Sequence, residues 1–211
     1  MVSVNGFHSE FVVLSYQSLE KMLGFEKALP VTEYWSAAPD FLKTISDYCL
    51  EKKPQVIAEC SSGASSLVLS QCCKLNKIGH VYSLENGEEF ASQTSQQLDD
   101  FLLSEYCDVI HAQLQDVQLN SSSFQWYALN NLPEIEIDML VIDGPPGFLQ
   151  KHSRYPALPM LNERLAEHCA VFLDDAARDD EQELVRRWLK TYPEFQAEYI
   201  ENERGCFILK R

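Results

Sequence analysis

Residues 55–66 constrain the fold most strongly, because they join a short apolar run to a turn of small residues, Gln-Val-Ile-Ala-Glu-Cys-Ser-Ser-Gly-Ala-Ser-Ser. The run at 56–58 predicts a buried strand, and the apolar residues 67–69 after the turn predict the start of a helix. In an open parallel sheet, such a turn lets a ligand approach the backbone N–H groups at the helix N-terminus. Glu59 stands at the mouth of the turn, where its carboxylate would repel a pyrophosphate and favours a ligand that carries positive charge.

Apolar and amphipathic segments alternate from residue 54 onward, which is the pattern of a mostly parallel sheet with helices on both faces. We therefore predict an α/β fold that closes with an antiparallel hairpin at residues 195–201 and 206–210. The predicted strands before the hairpin are residues 55–60, 80–84, 108–112, 138–142 and 170–173. The predicted helices are one that begins at Pro39, residues 64–73, 88–105, 157–168 and 179–191, and a short one at 124–129.

The length of 211 residues fits one α/β domain with a full core and is too short for two ordinary domains. We predict a domain at residues 39–211, preceded by an extension at residues 1–38 that holds one short helix and forms a lid or a homodimer interface. The 17 basic and 32 acidic residues give a net charge of −15, without any basic run. This charge disfavours binding to nucleic acid or to an anionic membrane surface.

The seven cysteines are an odd number and show no Cys-x-x-Cys spacing, so they predict neither a disulfide framework nor a zinc site. They are typical of small core residues in a reducing compartment. The N-terminus has no signal-peptide pattern, and no apolar stretch approaches the ~18 residues that cross a bilayer. We therefore expect a cytoplasmic protein.

Polar residues stand at the carboxyl end of every predicted parallel strand. A carboxylate at this place is not explained by core packing, and burying it without a partner is costly. One such residue would be an ordinary helix cap, but a whole row of them favours a ligand-binding edge. The residues are Glu59, Glu85, Gln115, Asp116, Asp143, Asp174 and Asp175.

Glu85 has a specific role available, because it ends the strand that follows Glu59 in the chain. An acidic side chain there binds the hydroxyl groups of a ribose, in nicotinamide dinucleotides and in other adenosyl ligands alike. The sequence of the turn distinguishes between these two kinds of ligand. A dinucleotide site favours Gly-x-Gly-x-x-Gly, whereas residues 61–66 contain Gly63 as their single glycine, which disfavours a dinucleotide. A nicotinamide-dependent oxidoreductase remains as a disfavoured alternative.

Residues 59–66, Glu-Cys-Ser-Ser-Gly-Ala-Ser-Ser, resemble motif I of class I S-adenosylmethionine-dependent methyltransferases, in the Glu-x-Gly-x-Gly-x-Ser-Thr form of small O-methyltransferases. The resemblance extends to residues 84–86 (Leu-Glu-Asn), 141–147 (Val-Ile-Asp-Gly-Pro-Pro-Gly) and 172–176 (Phe-Leu-Asp-Asp-Ala), and it covers about residues 35–211. It implies a Rossmann-like sheet of seven strands in the order 3-2-1-4-5-7-6, with S-adenosylmethionine as the cofactor.

The resemblance also implies how the cofactor would be held. The turn at residues 61–63 and Glu59 would face the methionine part, Ser65 its carboxylate, Glu85 the ribose and Gln115 the adenine. Ser61 departs from the motif, because its Cβ would narrow the approach that a glycine allows. A binding protein with impaired catalysis is therefore the second alternative. The implied cofactor-binding residues are Glu59, Ser61, Gly63, Ser65, Glu85, Asn86, Gln115 and Asp143.

The strand-end residues Asp143, Asp174 and Asp175 belong to adjacent strands, so three carboxylates are expected to converge. Such a cluster repels itself unless a cation or shared protons intervene, and its oxygen ligands favour Mg²⁺, Mn²⁺ or Ca²⁺. Members of the resembled family that are similar to catechol O-methyltransferase have acidic residues at these strand ends, where a metal ion holds the acceptor hydroxyls. Without a metal, the three residues would serve as caps.

His152 and Arg154 follow the fourth predicted strand. Asp143 and His152 are the predicted catalytic residues, and His152 is either a general base or a solvated loop residue. For Arg154, an ion pair with a strand-end aspartate is favoured over a clamp on an acidic substrate. Tyr34 and Trp35 wall the cofactor pocket or pack in the core. The predicted reaction is metal-assisted O-methylation of a small molecule, such as a sugar or polyol.

Overall fold

A computed structural model describes residues 15–32 and 35–211 of the chain. The strands are β1 (Val56–Cys60), β2 (His80–Glu85), β3 (Cys107–His111), β4 (Leu114–Leu119), β5 (Ser122–Tyr127), β6 (Ile137–Ile142), β7 (Leu165–Leu173), β8 (Gln196–Ile200) and β9 (Cys206–Lys210). The helices are α1 (Tyr16–Leu23), α2 (Pro39–Lys52), α3 (Ala64–Asn76), α4 (Glu88–Asp100), α5 (Ala157–Leu161) and α6 (Asp179–Thr191).

Seven strands form one sheet in the order β3-β2-β1-β6-β7-β9-β8, while β4 and β5 pair separately. The neighbours from β3 to β7 run parallel, and β9 runs antiparallel to β7 and β8. Counted within the main sheet alone, this is the order 3-2-1-4-5-7-6. The predicted Rossmann-like fold is therefore confirmed, with its carboxyl strand ends at one edge.

The core lies on both faces of the main sheet. Successive strand residues point to opposite faces, so Ile57 joins one buried cluster and Ala58 joins the other. Helices α1, α2 and α3 cover the first face, whereas α5, α6 and the β4-β5 hairpin cover the second. Parallel strands buried on both faces explain the nearly continuous apolar runs in the sequence.

The described part of the predicted N-terminal extension packs into this core. Leu19 and Leu23 of α1 are buried, and Gln71 Nε2 of α3 donates a hydrogen bond to the Leu23 carbonyl at 2.8 Å. The predicted short helix before Pro30 is thus present. Residues 1–14 of the extension, and Tyr34 as a predicted pocket wall, lie outside the described residues, and the lid or interface role of residues 1–38 stays a prediction.

The β4-β5 hairpin replaces the short helix predicted at residues 124–129, and that prediction is wrong. The segment alternates with period two, since Phe124 and Trp126 are buried while Gln125 between them is exposed. Asn120 takes a left-handed φ of 55° in the two-residue turn, a conformation that asparagine tolerates better than most residues.

The side chain of Gln150 binds the outer strand of this hairpin. Its Oε1 accepts a hydrogen bond from the Gln125 backbone N–H, and its Nε2 donates to the Gln125 carbonyl, each at 2.9 Å. The amide therefore copies the two hydrogen bonds of a neighbouring strand. It joins the loop after β6 to the hairpin.

Two predicted helix ends are also wrong. Helix α4 ends at Asp100, since Leu102 adopts a left-handed φ of 56° that a helix cannot continue. Helix α5 ends at Leu161 instead of continuing to residue 168, because the following residues extend β7 and Leu165 pairs with Ile137.

All seven cysteines are buried and free, as expected of core residues in a chain without disulfides. Among the helices of the described residues, none has the length and apolar character that a membrane crossing requires.

Candidate active site

The turn between β1 and α3 has two backbone conformations that favour glycine. Ser61 has φ 103°, and Gly63 has φ 141° with ψ −134°. The Ser61 N–H donates to the Leu84 carbonyl at 2.8 Å, which fixes the turn against the end of β2. Ser61 thus occupies a strained conformation at the position where the resembled motif has glycine.

Glu59 lies beneath this turn and is fully buried. Its Oε2 accepts hydrogen bonds from Ser66 Oγ at 2.5 Å and Ser83 Oγ at 2.8 Å, and Ser66 Oγ in turn accepts from the Gly63 N–H at 3.1 Å. Burial raises the pKa of Glu59 to about 7, although the serine hydroxyls oppose the shift. Glu59 therefore braces the turn, while its Oε1 has no hydrogen-bond partner among the described residues.

Glu85 ends β2 beside the same turn, and its side chain is buried. Its Oε2 accepts hydrogen bonds from the Ser62 N–H and the Ser62 hydroxyl, both at 3.1 Å, and its Oε1 accepts from the Gly87 N–H at 2.9 Å. A ribose would have to share these acceptors or replace Ser62. Asn86 follows directly and is half-buried.

The other two predicted cofactor residues lie in different surroundings. Ser65 is buried in the first turn of α3, next to the turn at 61–63. Gln115 was expected at the end of the third strand, but β3 ends at His111 and Gln115 is an exposed residue of β4 opposite Trp126. Asp116 is displaced with it, so the row of strand-end acids is interrupted at β3, and the adenine contact of Gln115 stays a prediction.

The carboxylates of Asp143, Asp174 and Asp175 converge as the adjacent strands β6 and β7 predict. One side-chain oxygen from each lies within 4.8 Å of the others. Neither oxygen of Asp174 has a hydrogen-bond partner among the described residues. Burial and the carboxylates of Asp143 and Asp175 raise the pKa of Asp174 well above its usual range, so that its neutral form is favoured.

Arg154 lies against this cluster and is almost completely buried. Its Nη2 is 3.1 Å from Asp143 Oδ1 and 2.7 Å from Asp175 Oδ2, and its Nη1 donates to the Asp174 carbonyl at 2.8 Å. The ion pair with a strand-end aspartate is therefore confirmed. These contacts also test the predicted metal site, because two of its three ligands already bind a guanidinium that cannot lose its charge.

Arg178 adds a second cation that the sequence analysis missed. Its Nη1 lies 2.8 Å from Asp175 Oδ2, so that one oxygen serves both Arg154 and Arg178. The spacing of three residues between Asp175 and Arg178 was the available signal. Because Asp175 Oδ2 is shared by two guanidinium groups, a divalent cation in the cluster would have to compete with Arg154 and Arg178 for that oxygen.

His152 faces helix α6. Its Nε2 lies 3.0 Å from Glu183 Oε2, its Nδ1 lies 3.4 Å from Arg187 Nη1, and the ring is buried. The residue is not part of the cavity lining described below. The geometry favours a structural contact with α6 for His152, and its predicted role as a general base stays a prediction.

A cavity of about 780 Å³ opens at the carboxyl ends of β1, β6 and β7. It brings the turn at Ser61 into one space with Asp143, Arg154 and Asp175. Trp35 and Phe148 also line it, both largely exposed, with their ring centroids 6.0 Å apart and their planes at 75°. The wall at Trp35 was expected, whereas Phe148 was missed because a single aromatic residue after Gly147 carries no periodic signal.

The chain was compared with known families. A family model described as a methyltransferase domain matches residues 60–176, which is more than half of the chain. The matched segment begins at the last residue of β1 and ends directly after Asp175, and so it spans the strand-end site. A comparison with curated protein sequences found no match.

Solved structures of similar fold cover nearly the whole chain. An O-methyltransferase from Bacillus cereus in complex with SAH has a TM-score of 0.65 at 15% identity, covering 96% of this chain and 94% of its own. The O-methyltransferase TomG from Streptomyces achromogenes, in complex with SAM, has 0.62 at 14% identity, with 96% and 92% covered. The SAH-bound methyltransferase PaMTH1 from Podospora anserina has 0.63 at 13% identity, with 99% and 98% covered. At these identities the likeness shows the fold alone.

Proposed function

Because this chain belongs to the methyltransferase-domain family, we propose that it transfers the methyl group of S-adenosylmethionine to an oxygen of a small molecule. The observation that carries the proposal is the cavity that holds Ser61 of the turn and Asp143, directly after β6, in one space. A donor bound at the turn and an acceptor at Asp143 would then be neighbours. The family match favours this reaction over the nicotinamide-dependent alternative.

The turn and Glu85 support the choice of cofactor. The backbone at residues 61–63 leaves open space around Gly63, where a Cβ would meet nothing within 4 Å. Glu85 offers buried carboxylate oxygens at the end of β2, the usual place of a ribose ligand. The bound sulfonium supplies an electrophilic methyl group, and the relatives named above hold SAM or SAH in this fold.

Asp143 is the base that the geometry offers. Its carboxylate lines the cavity, and burial raises its pKa to about 6 although the Arg154 guanidinium opposes the shift. A base of this strength accepts a hydroxyl proton near neutral pH. In the proposed step, Asp143 would accept the proton of the acceptor hydroxyl as that oxygen takes the methyl group. The methyl–sulfur bond would break at the same time, and S-adenosylhomocysteine would leave as the neutral thioether. The walls of the cavity would hold donor and acceptor in line.

Metal assistance is not part of this proposal, because two of the three candidate ligands are held by guanidinium groups. The sugar or polyol acceptor, the homodimer and the cytoplasmic location stay predictions. A binding protein with impaired catalysis is the second candidate. The strained Ser61 and the hydrogen bonds between Ser62 and Glu85 favour it, since both oppose entry of a cofactor.

Thermal unfolding with S-adenosylhomocysteine tests the proposal. A ligand at 100 times its dissociation constant stabilises the folded state by about 2.7 kcal/mol, which raises the Tm of a chain of this size by roughly 5–10 °C. The Asp143→Asn protein should show the same shift in Tm. It should no longer convert S-adenosylmethionine to S-adenosylhomocysteine when a panel of hydroxylated acceptors is offered. Absence of any shift would refute the cofactor and support the impaired protein, whereas a shift without turnover would refute O-methylation of the acceptors on the panel. NAD is the control ligand and should give no shift.

A further inference from the structure

We propose that Arg154 is the built-in cation of this site and that the strand-end carboxylates hold its guanidinium in place of a divalent metal ion. The inference rests on the proposed function only in treating the site as the place of methyl transfer. Its physical content concerns which cation the cluster Asp143, Asp174 and Asp175 is built to bind.

The guanidinium connects the two strand ends. Its Nη2 lies 3.1 Å from a carboxylate oxygen of Asp143, directly after β6, and 2.7 Å from one of Asp175, just after β7. Its Nη1 donates to the backbone carbonyl of Asp174. A planar group with five donors can satisfy several acceptors at fixed angles, which a lysine ammonium cannot. Glu181 of α6, at 3.9 Å from Nη1, places a further carboxylate on the same cation.

The backbone on both sides of Arg154 is anchored, so the side chain cannot leave the cluster by a simple loop movement. Ser153 Oγ donates to the Pro145 carbonyl at 3.0 Å. The Tyr155 carbonyl accepts from Trp188 Nε1 at 2.9 Å, and the Arg187 guanidinium lies 3.9 Å from the centroid of the Tyr155 ring. Ser153 and Tyr155 are both buried.

A divalent ion in the cluster would have to share it with this buried positive charge. Repulsion between cations is weakly screened inside a protein, and Arg154 is 3% exposed. On the cavity side, the Arg178 guanidinium already offsets part of the carboxylate charge, because it binds the same oxygen of Asp175 as Arg154 does. Two of the three carboxylates, those of Asp143 and Asp175, thus already have an arginine as their cation.

This arrangement assigns Arg154 a positioning role. It fixes the direction of the Asp143 carboxylate, the proposed base, through the contact between Nη2 and Oδ1. Methyl transfer would then need no added metal and would persist in the presence of EDTA.

The test is isothermal titration of EDTA-treated full-length protein with MnCl₂ and, separately, MgCl₂. Wild type should give no saturable heat, and Arg154→Lys, which keeps a cation, should behave in the same way. Arg154→Met removes the cation and leaves all three carboxylates, so it should gain Mn²⁺ binding at least about tenfold tighter than any in wild type, with Mn²⁺ ahead of Mg²⁺.

Saturable Mn²⁺ binding by wild type that disappears in Asp174→Asn would overturn the inference, and so would a folded Arg154→Met protein that binds no metal. If Arg154→Met fails to fold, the wild-type titration and its Asp174→Asn control decide alone. Binding of S-adenosylhomocysteine is measured on the same metal-free samples. A failure of the proposed function is therefore visible separately from a failure of the metal-free site.

Discussion

Replacing Ser61 by glycine should stabilise the protein, because Ser61 holds a φ of 103° that costs an L-residue about 1–2 kcal/mol. Glycine adopts this conformation freely but loses about 0.4–1 kcal/mol through the extra freedom of its unfolded chain. The expected net gain for Ser61→Gly is therefore about 1 kcal/mol, or a rise in Tm of roughly 2–4 °C for a chain of this length. Ser61→Ala keeps the Cβ and the strain, and should show no gain.

Chemical denaturation and calorimetry of the Ser61→Gly and Ser61→Ala proteins measure this difference directly. Ser62→Gly is the matched control in the same turn, and it should be destabilising because it removes the hydroxyl that donates to Glu85 at 3.1 Å. Ser61→Gly should also bind S-adenosylhomocysteine more tightly, since the backbone becomes more accessible. If Ser61→Gly is no more stable than Ser61→Ala, the strain argument is refuted.

Three further predictions concern the stability of the turn after β1 and of the sheet. Gly63→Ala should lower the free energy of unfolding, measured with denaturant, by about 1–3 kcal/mol although the surroundings of Gly63 are open, because φ 141° with ψ −134° is essentially restricted to glycine. A loss below about 0.5 kcal/mol would contradict this prediction. The folded-state pKa of Glu59, about 7, lies above its usual 4.5, so the stability that Glu59 contributes is present below pH 4.5 and is lost, by up to about 3 kcal/mol, as the pH rises to 7. Glu59→Gln should make the free energy of unfolding nearly independent of pH over this interval, and an unchanged pH dependence would count against the assignment. Asp138→Ala should lower the free energy of unfolding by about 1–2 kcal/mol in the same assay, since Asp138 Oδ2 accepts hydrogen bonds from the N–H groups of Gln55 and Val56 at 2.8 and 2.9 Å. Asp138→Asn keeps an acceptor and should lose clearly less stability, and equal losses in the two variants would argue against these hydrogen bonds as the cause.

The sheet was predictable because its strands are buried on both faces and stand between clear helix signals. The strand ends then placed Asp143, Asp174 and Asp175 together without any knowledge of the side chains. The β4-β5 hairpin was harder to predict, since the short segment at residues 124–127, three aromatic residues interrupted by Gln125, is compatible with either a helix or a strand.

The sequence predicted only part of the role of Arg154 in the cluster. Arg154 was expected to pair with one aspartate, but its bridging of two strand ends depends on the path of the loop after β6, which residue spacing does not encode. The strain at Ser61 is likewise a property of backbone angles. The contacts of His152 with α6 are likewise set by the path of this loop, and they do not follow from its place in the sequence.

The hydrogen bonds between Gln150 and Gln125 make the hairpin and the loop after β6 move as one body. A movement of this loop away from the hairpin would have to break both bonds or carry β4 and β5 along. The Gln125 amide should therefore exchange its hydrogen with solvent at the rate at which the loop opens, and Gln150→Ala should speed that exchange. One peptide group would report on how often the mouth of the cavity opens.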